Sequence, residues 1–243
     1  MKTHELLQKT NHRPWELPNQ SWKFYQEWNN AIFLHWQVEV SELVKHVPEE
    51  LEIDLFEGKA WVSIVVFTME KIRPKYLPAF PPISNFEEIN IRTYVTANNK
   101  PGVYFLSIEG GTFLSCKVAK AISQLPYRFS KMHRNPTSFK SNNKTFKDSL
   151  DIQYKIGSKA TQKSDLDLWL TERYALHQDT PTTINEFEIH HIEWPIKELT
   201  LDHLDVKYQR FNTLINGTPH KTQYSKGVQV LAWDKKSTPR NKL

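Results

Sequence analysis

The chain of 243 residues is poor in the residues that several common functional sites require. Its one cysteine, Cys116, excludes an internal disulfide and a thiolate metal site. Only seven glycines are present, without a GxGxxG, P-loop or GxSxG pattern, which argues against a glycine-rich phosphate-binding loop and a nucleophile elbow. Because disulfide-free chains are typical of reducing compartments, we expect a cytoplasmic protein.

Long apolar runs are also missing. The longest, "AWVSIVVF", is too short to cross a bilayer, and the amino-terminal "MKTHELLQKTNHRPW" lacks the apolar core of a signal peptide. Lys and Arg number 32 against 27 Asp and Glu, and the resulting charge of +5 is spread along the chain. No recognisable nucleic-acid-binding module accompanies it. We therefore expect neither a membrane nor a nucleic-acid partner, and nothing in the sequence indicates an oligomeric state.

Short alternating segments dominate what the sequence does contain. "EEINIRTYV" alternates from residue 87 to 95 and is expected to pair, across "TANNKPG", with "VYFLSI". "LEIDLFEGKAWVSIVVFTM" predicts a hairpin that turns around Gly58, and its second strand is apolar on both faces and therefore central. Residues 22–33 fit a strand or a helix, and we favour the strand.

Helices are predicted at fewer places. "TFLSCKVAKAISQLPY" has the apolar spacing of an amphipathic helix that ends at Pro126, "SDLDLWLTERYAL" predicts a second helix, and "IKELTLDHL" a short third one. The basic carboxyl end, residues 234–243, predicts a frayed tail. Together these elements predict one α+β domain over residues 1–243, mainly antiparallel β, curled into a barrel or a two-layer structure.

Four polar residues share one face of the strand "EEINIRTYV", namely Glu88, Asn90, Arg92 and Tyr94. This face either meets solvent or lines a pocket. The doubly apolar neighbouring strand favours a deep position, where an arginine needs an acceptor or a ligand. In a pocket, Arg92 is suited to bind a carboxylate while a nearby acid or phenol transfers a proton.

Two further groups of residues have simpler interpretations than a functional site. Glu172 and Arg173 form a charged pair that is typical of a solvated helix face, and they are a reserve candidate for the site. His190 and His191 point to opposite sides of a predicted strand and cannot chelate one ion together. We therefore predict no metal site and no cofactor.

Eight motifs follow one another along the chain, namely "RPWELP", "FLHW", "DLFEGKAWVSIVVFTM", "FEEINIRTYV", "KPGVYFLSIE", "LPYRFSKM", "WLTERYAL" and "IEWP". In this order they resemble the YqjF-like bacterial family of unknown function. The match runs from about residue 13 to 195. That family is distantly similar to acetoacetate decarboxylase, and the resemblance implies a β-rich cone or barrel around an internal cavity that the alternating strand lines.

The sequence departs from the decarboxylase at the residues that carry its chemistry. There, a Schiff-base lysine and a second lysine that lowers its pKa follow the proline at the helix end. Here those positions hold Tyr127 and Arg128, neither of which forms an imine. The nearest lysines, Lys117, Lys120 and Lys131, do not occupy these two positions. We therefore do not expect amine-catalysed decarboxylation, and we expect Tyr127 and Arg128 to project into the same interior as the polar strand.

Two functions remain after these exclusions. The first is a cytoplasmic protein that binds a small anionic or carbonyl-containing molecule in an internal cavity, with or without the chemistry of a lysine-independent lyase or isomerase. The second is a non-enzymatic binding or interaction protein whose polar face is structural. For the first function, the predicted catalytic residues are Glu88 and Tyr127, and the predicted ligand-binding residues are Asn90, Arg92, Tyr94 and Arg128.

Overall fold

The structure is a computed structural model that describes residues 1–160 and 162–240. Strands dominate it, and the helices are short. The strands are β1 (Phe24–Val38), β2 (Glu52–Ile53), β3 (Ala60–Pro74), β4 (Phe86–Ala97), β5 (Lys100–Gly110), β6 (Tyr127–Phe129), β7 (Lys131–Asn135), β8 (Ser138–Asn143), β9 (Asp148–Lys159), β10 (Ala175–Asp179), β11 (Thr183–His190), β12 (Ile196–Lys207), β13 (Lys221–Ala232) and β14 (Lys236–Pro239). The helices are α1 (Thr3–Gln8), α2 (Val40–Leu43), α3 (Pro81–Ser84), α4 (Phe113–Ser123) and α5 (Asp165–Thr171), with single 3₁₀ turns at Val44–His46 and Gln209–Phe211.

All the strands belong to one sheet, ordered β14-β11-β10-β5-β4-β3-β1-β13-β12-β9-β8-β7, with β2 beside β4 and β6 beside β5. Strand β11 also pairs with β13, through Ile189 and His190, and so joins the two ends of a path of seven strands. Among the described strands, only β6 and β10 run parallel to their neighbour β5. The predicted α+β fold, mainly antiparallel with few helices, is confirmed.

Strand β3 is central, as its two apolar faces predict. It pairs with β1 on one side and β4 on the other, and its residues from Ala60 to Phe67 are buried. Ile64 packs into the larger apolar cluster, which also contains residues of β8, β9 and β12. Val65 belongs to a second cluster on the opposite face. The sheet is therefore covered by apolar side chains on both sides at this strand.

The alternating strand behaves as its pattern predicts. β4 pairs with β5 in antiparallel register, and Ile89 and Ile91 enter the same cluster as Ile64. Because alternate side chains point to opposite faces, Glu88 and Arg92 lie on the other side of the sheet. Both of these charged residues are buried. The solvent-facing interpretation of this face is therefore wrong.

The predicted hairpin at Gly58 is wrong. Strand β2 pairs with the far end of β4, at Val95 and Thr96, and not with β3. The turn itself, with Gly58 at φ +75°, is closed only by a bridge between Phe56 and Lys59. Since β1 and β4 already occupy both edges of β3, no edge is free for the segment that precedes the turn.

Two predictions near the carboxyl end are also wrong. "IKELTLDHL" is the strand β12, because pairing with β9 and β13 satisfies its backbone groups. The tail is ordered from Lys236 to Pro239, because this segment is the strand β14 and pairs with β11. Arg240 then forms ion pairs, at 2.8 Å from Glu50 and 3.3 Å from Asp179. The last three residues of the predicted tail, 241–243, lie outside the described residues.

Helix α4 forms where it is predicted, but its apolar stripe points outward. Phe113 is 56% exposed and Ile122 is 58% exposed. The inward face carries small side chains, Cys116 among them, and it approaches β5 at Gly110, where a Cβ would lie 2.6 Å from the Cys116 sulfur. Close approach of small residues, rather than burial of the apolar stripe, therefore decides which way the helix faces.

The central position of β3 leads to a stability prediction. Ile64→Ala removes a fully buried side chain and is expected to lower the free energy of unfolding by about 2–5 kcal/mol. Ile156→Ala is the matched control, because this isoleucine of β9 is 41% exposed and its loss should change the same quantity by less than about 1 kcal/mol. Chemical denaturation measures both, and equal losses would contradict the assignment of β3 as the centre of the core.

Candidate functional site

Glu88 is the centre of a first polar group on the inner face of β4. The Tyr127 hydroxyl donates to Glu88 Oε2 at 2.9 Å. With its amide nitrogen turned toward the carboxyl, Asn90 donates to Glu88 Oε1 at 3.1 Å. Tyr127 reaches this face because β6 runs parallel to β5 with Tyr127 opposite Ile108, and Ile108 lies opposite Asn90.

Burial changes the protonation of this group. It raises the pKa of Glu88 to about 8, and the hydrogen bonds from Tyr127 and Asn90 oppose that rise only in part. Burial and the neighbouring Glu88 raise the pKa of Tyr127 well above its usual value. At neutral pH Glu88 is therefore mainly the neutral acid, and its pKa suits a group that gives and takes a proton.

Arg92 and Tyr94 form a second group. The guanidinium of Arg92 donates from Nη2 to the backbone carbonyl of Leu170 at 3.0 Å, and the Tyr94 hydroxyl lies 3.0 Å from the same oxygen. Leu170 belongs to the last turn of α5, whose carbonyls lack an intrahelical donor. The Arg92 Nε is buried without an acceptor. Within residues 1–160 and 162–240, no carboxylate lies within 4.0 Å of this guanidinium.

The predicted site residues thus fall into two groups rather than one. Glu88 and Arg92 are four residues apart on one strand, which separates their Cα atoms by roughly 13 Å. Asn90 stands between them and bonds to Glu88. Arg92 turns the other way, and its guanidinium carbon lies 5.8 Å from the centre of the Tyr94 ring.

Arg128 belongs to neither group, which corrects the expectation that it shares an interior with Tyr127. It lies opposite Glu109 on β5, on the other face of the sheet. Its guanidinium is 3.0 Å from Glu109 and 3.1 Å from Asp148, and it donates to Ser107 Oγ at 2.5 Å. The reason is strand alternation, because Tyr127 and Arg128 are neighbours in β6 and must point to opposite faces.

Sequence reasoning missed the polar residues that adjoin Arg92 on the neighbouring strands. His35 Nδ1 lies 2.6 Å from Ser63 Oγ, which lies 2.6 Å from the Tyr94 hydroxyl. The other ring nitrogen of His35 is 3.2 Å from Oε1 of Gln223. These residues are buried. A signal was present, because "FLHW" and "AWVSIVVF" each place one polar letter inside an apolar strand.

Comparison with known proteins identifies the family. The model of the family DUF2071, described as "Uncharacterized conserved protein", matches residues 25–229. The chain belongs to this family. It is also 34% identical over 226 residues to the uncharacterized protein YqjF of Bacillus subtilis (strain 168), a match that covers 89% of this chain and 93% of that protein. The resemblance predicted from the motifs is confirmed, and the family model extends beyond residue 195.

Solved structures share the fold of this DUF2071 protein at low identity. The enduracididine biosynthesis enzyme MppR, in a complex with pyruvate, has a TM-score of 0.61 at 11% identity, covering 93% of each chain. An acetoacetate decarboxylase structure has a TM-score of 0.59 at 14% identity, covering 99% of this chain and 98% of that one. The decarboxylase of Legionella pneumophila has a TM-score of 0.60 at 11% identity, covering 95% and 94%. These similarities show the fold.

Glu172 and Arg173 are not the solvated pair that the sequence predicts. Arg173 is buried and lies 2.5 Å from Asp54, and it also donates to the backbone carbonyl of Trp169 at 2.6 Å. Glu172 lies 2.8 Å from Lys163. Helix α5 ends at Thr171, so both side chains belong to a segment that turns into the sheet and not to an outer helix face.

The two histidines of "IHHIEW" bond to the backbone. His190 Nε2 lies 2.9 Å from the carbonyl of Leu6, and His191 Nδ1 lies 2.7 Å from the carbonyl of Ile192. The described part of the chain holds no group of three or more potential metal ligands. Among the same residues, no helix has the length and apolarity needed to span a membrane.

Two depressions of about 380 Å³ each open elsewhere on the surface. One is lined by Arg134, Tyr154 and Tyr224 among others, and the second by His12 and Glu193 among others. Neither is lined by a residue of the predicted site. The internal cavity that the family resemblance implies therefore stays a prediction.

The raised pKa of Glu88 leads to a pH-dependent stability prediction. The pKa of Glu88 is about 8 in the folded state, and 4.5 is its ordinary value. Between these two pH values the folded protein binds more protons than the unfolded protein, so the free energy of unfolding falls as pH rises from about 4.5 to 8. Glu88→Gln should remove this fall. Relative to wild type, its free energy of unfolding should gain up to about 1.4 kcal/mol per pH unit over that range and level off above it.

Denaturation at a series of pH values measures the difference between the two proteins. Glu49→Gln, which changes an exposed carboxyl, serves as the control and should show a flat difference from wild type. If the difference between Glu88→Gln and wild type does not change with pH, Glu88 is not a buried neutral acid.

Proposed function

We propose that this protein binds a small carboxylate at Arg92 and that Glu88, with Tyr127, exchanges a proton with the bound molecule. The observation that carries the proposal is a buried guanidinium without a carboxylate partner among the described residues. A buried charge is costly unless it is paired, and a backbone carbonyl supplies no negative charge. An anionic ligand is the missing partner in this proposal.

The charges around Tyr94 support a ligand with one negative charge. The guanidinium carbon of Arg173 lies 5.0 Å from the centre of the Tyr94 ring, and that of Arg92 lies 5.8 Å from it. Of these two arginines, Arg173 has Asp54 as its ion-pair partner. Within the part of the chain that the structure describes, one positive charge therefore remains unbalanced, and a monocarboxylate would neutralise it with charge-assisted hydrogen bonds.

The fold gives weaker support, because related folds can carry unrelated functions. MppR, one of the proteins with this fold, is complexed with pyruvate, a small carboxylate with a carbonyl group. Pyruvate is therefore a suitable probe. An imine to a lysine is not part of the proposal, because Tyr127 and Arg128 follow Pro126 and the nearby Lys117 is exposed on α4. A reducing, cytoplasmic location agrees with a single buried cysteine.

The anion site leads to a binding prediction. Arg92→Met should weaken the binding of pyruvate by about 10- to 100-fold, because hydrogen bonds to charged groups contribute about 1.5–3 kcal/mol. Isothermal titration measures the affinity. Arg210→Met is the matched control, since it removes the same charge from an exposed position and should leave the affinity unchanged.

A thermal unfolding curve for each variant checks that it is folded. The uncharged ester methyl pyruvate should bind weakly to the wild type if the negative charge is what the site recognises. If wild type and Arg92→Met bind pyruvate with equal affinity, Arg92 is not the anion-binding residue.

Proton exchange tests the proposed role of Glu88. A longer keto acid such as 5-oxohexanoate can extend from Arg92 toward Glu88. In D₂O its methyl protons should exchange faster with the wild type present, as followed by NMR, because the carboxylate form of Glu88 removes a proton from the methyl carbon and the solvent returns deuterium. Glu88→Gln should slow the catalysed exchange by about 10²- to 10⁴-fold. Binding without any catalysed exchange would instead favour the non-enzymatic alternative.

Trapping with borohydride separates this chemistry from imine catalysis. Incubation of the wild type with pyruvate and borohydride should leave its intact mass unchanged. An adduct that forms in the wild type and is lost in Arg92→Met would show an imine in the site, and it would overturn the lysine-independent proposal.

A further inference from the structure

A row of polar side chains crosses four neighbouring strands beside Arg92. Lys221 of β13 lies opposite His35 of β1, His35 lies opposite Ser63 of β3, and Ser63 lies opposite Arg92 of β4. His35 and Ser63 have no exposed surface. Because buried polar groups must satisfy one another, the direction of each hydrogen bond in such a row is constrained by the next.

Asp167, which lies beside Lys221 at the outer end of the row, sets the direction of the hydrogen bonds. Burial raises the pKa of this carboxyl, but hydrogen bonds from Lys221 and Ser164 outweigh it and lower the pKa overall, so Asp167 is a carboxylate that only accepts. Lys221 Nζ lies 2.6 Å from its Oδ1, and the amide nitrogen of Gln223 donates to the same oxygen. The carbonyl oxygen of Gln223 must therefore face His35.

That carbonyl oxygen selects the tautomer of His35. It lies 3.2 Å from Nε2, so Nε2 carries the proton. Burial, with a smaller contribution from Arg92, lowers the pKa of His35 to about 3, so the ring is neutral and Nδ1 is an acceptor. Ser63 Oγ, 2.6 Å from Nδ1, is then the donor of that hydrogen bond.

The row ends at the hydroxyl of Tyr94, which has one proton and two acceptors within reach. Ser63 Oγ is 2.6 Å from the phenol oxygen, and the carbonyl of Leu170 is 3.0 Å from it. Ser63 has already donated its proton to His35, so its oxygen can only accept from Tyr94. When Tyr94 donates to Ser63, the Leu170 carbonyl is left with Arg92 as its side-chain donor.

We propose that Ser63 and His35 are positioning residues of the anion site. They direct the hydroxyl proton of Tyr94 to Ser63 Oγ, so that the Leu170 carbonyl at the end of α5 keeps the hydrogen bond from Arg92 and has none from Tyr94. The inference rests on the proposed function, because the Leu170 carbonyl occupies the guanidinium that a carboxylate would bind. A carboxylate that binds Arg92 then has to break one hydrogen bond to the Leu170 carbonyl, the one from Arg92, and not a second one from Tyr94. The row thereby lowers the cost of detaching α5 from Arg92.

The proposal makes an unusual prediction for Ser63→Ala. Loss of the serine hydroxyl frees Tyr94 to donate to Leu170, so α5 should be held more tightly. Amide hydrogen exchange at Leu168 and Glu172, which bond to carbonyls of the Ser164–Leu168 turn, should slow by about 2- to 10-fold. The affinity for pyruvate should fall by a similar factor. A purely structural role of Ser63 would give the opposite sign, with faster exchange after its loss.

Two variants control the experiment. Ser141→Ala removes a buried serine hydroxyl of β8 that bonds to no other described residue, and it should leave exchange in α5 unchanged. Ser63→Thr keeps the hydroxyl and should restore wild-type exchange and affinity. Unchanged or faster exchange at Leu168 and Glu172 in Ser63→Ala would overturn the proposal. Slower exchange with a wild-type affinity for pyruvate would overturn its link to the anion site.

The tautomer of His35 supplies a readout that needs no ligand. Nitrogen NMR of the imidazole should show the proton on Nε2 in the wild type, and a proton on Nδ1 would overturn the direction of the row. If pyruvate does not bind the wild type at all, the proposed function fails, whereas the exchange rates and the tautomer still decide whether the row positions Tyr94.

Discussion

The burial of the Arg92 guanidinium, without a carboxylate partner among residues 1–160 and 162–240, is the constraint around which the inner face of the sheet is arranged. A buried positive charge costs several kcal/mol unless the surroundings compensate it. Here the compensation comes from a helix-end carbonyl, that of Leu170, and from the nearby ring of Tyr94. Both are weaker partners than an anion. The face therefore has a positive site that the described side chains leave unbalanced.

Neighbouring ionisable groups keep that site from gaining charge. His35, one strand beyond Ser63, is held neutral by burial, which lowers its pKa to about 3. Glu88, toward the other end of β4, is mainly neutral because burial raises its pKa to about 8. The inner face thus combines one cation with a neutral acid some distance along the same strand. This separation of an anion-binding group from a proton-exchanging group fits a ligand that reaches from one to the other.

The local patterns predicted more of the fold than the long-range pairings. The alternation of "EEINIRTYV" correctly placed Glu88 and Arg92 on one face and Ile89 on the other, because strand geometry admits only that choice. The two apolar faces of β3 correctly predicted a central strand. The partner of β2 and the strand nature of β12 were missed, because each depends on which edges distant strands leave free. Alternation also accounts for Arg128, whose position follows once β6 is known to be a strand.

In the candidate site, too, local patterns were predictable from the sequence and long-range contacts were not. By itself the sequence determined the family, the absence of the decarboxylase lysines at Tyr127 and Arg128, and the shared face of the polar residues of β4, since each is a matter of residue identity or of period-two geometry. Only the tertiary structure decided that Arg92 meets Leu170 and that His35 and Ser63 join it. These contacts join residues that are far apart in the chain, and the register of the sheet brings them together, a property that no single segment carries.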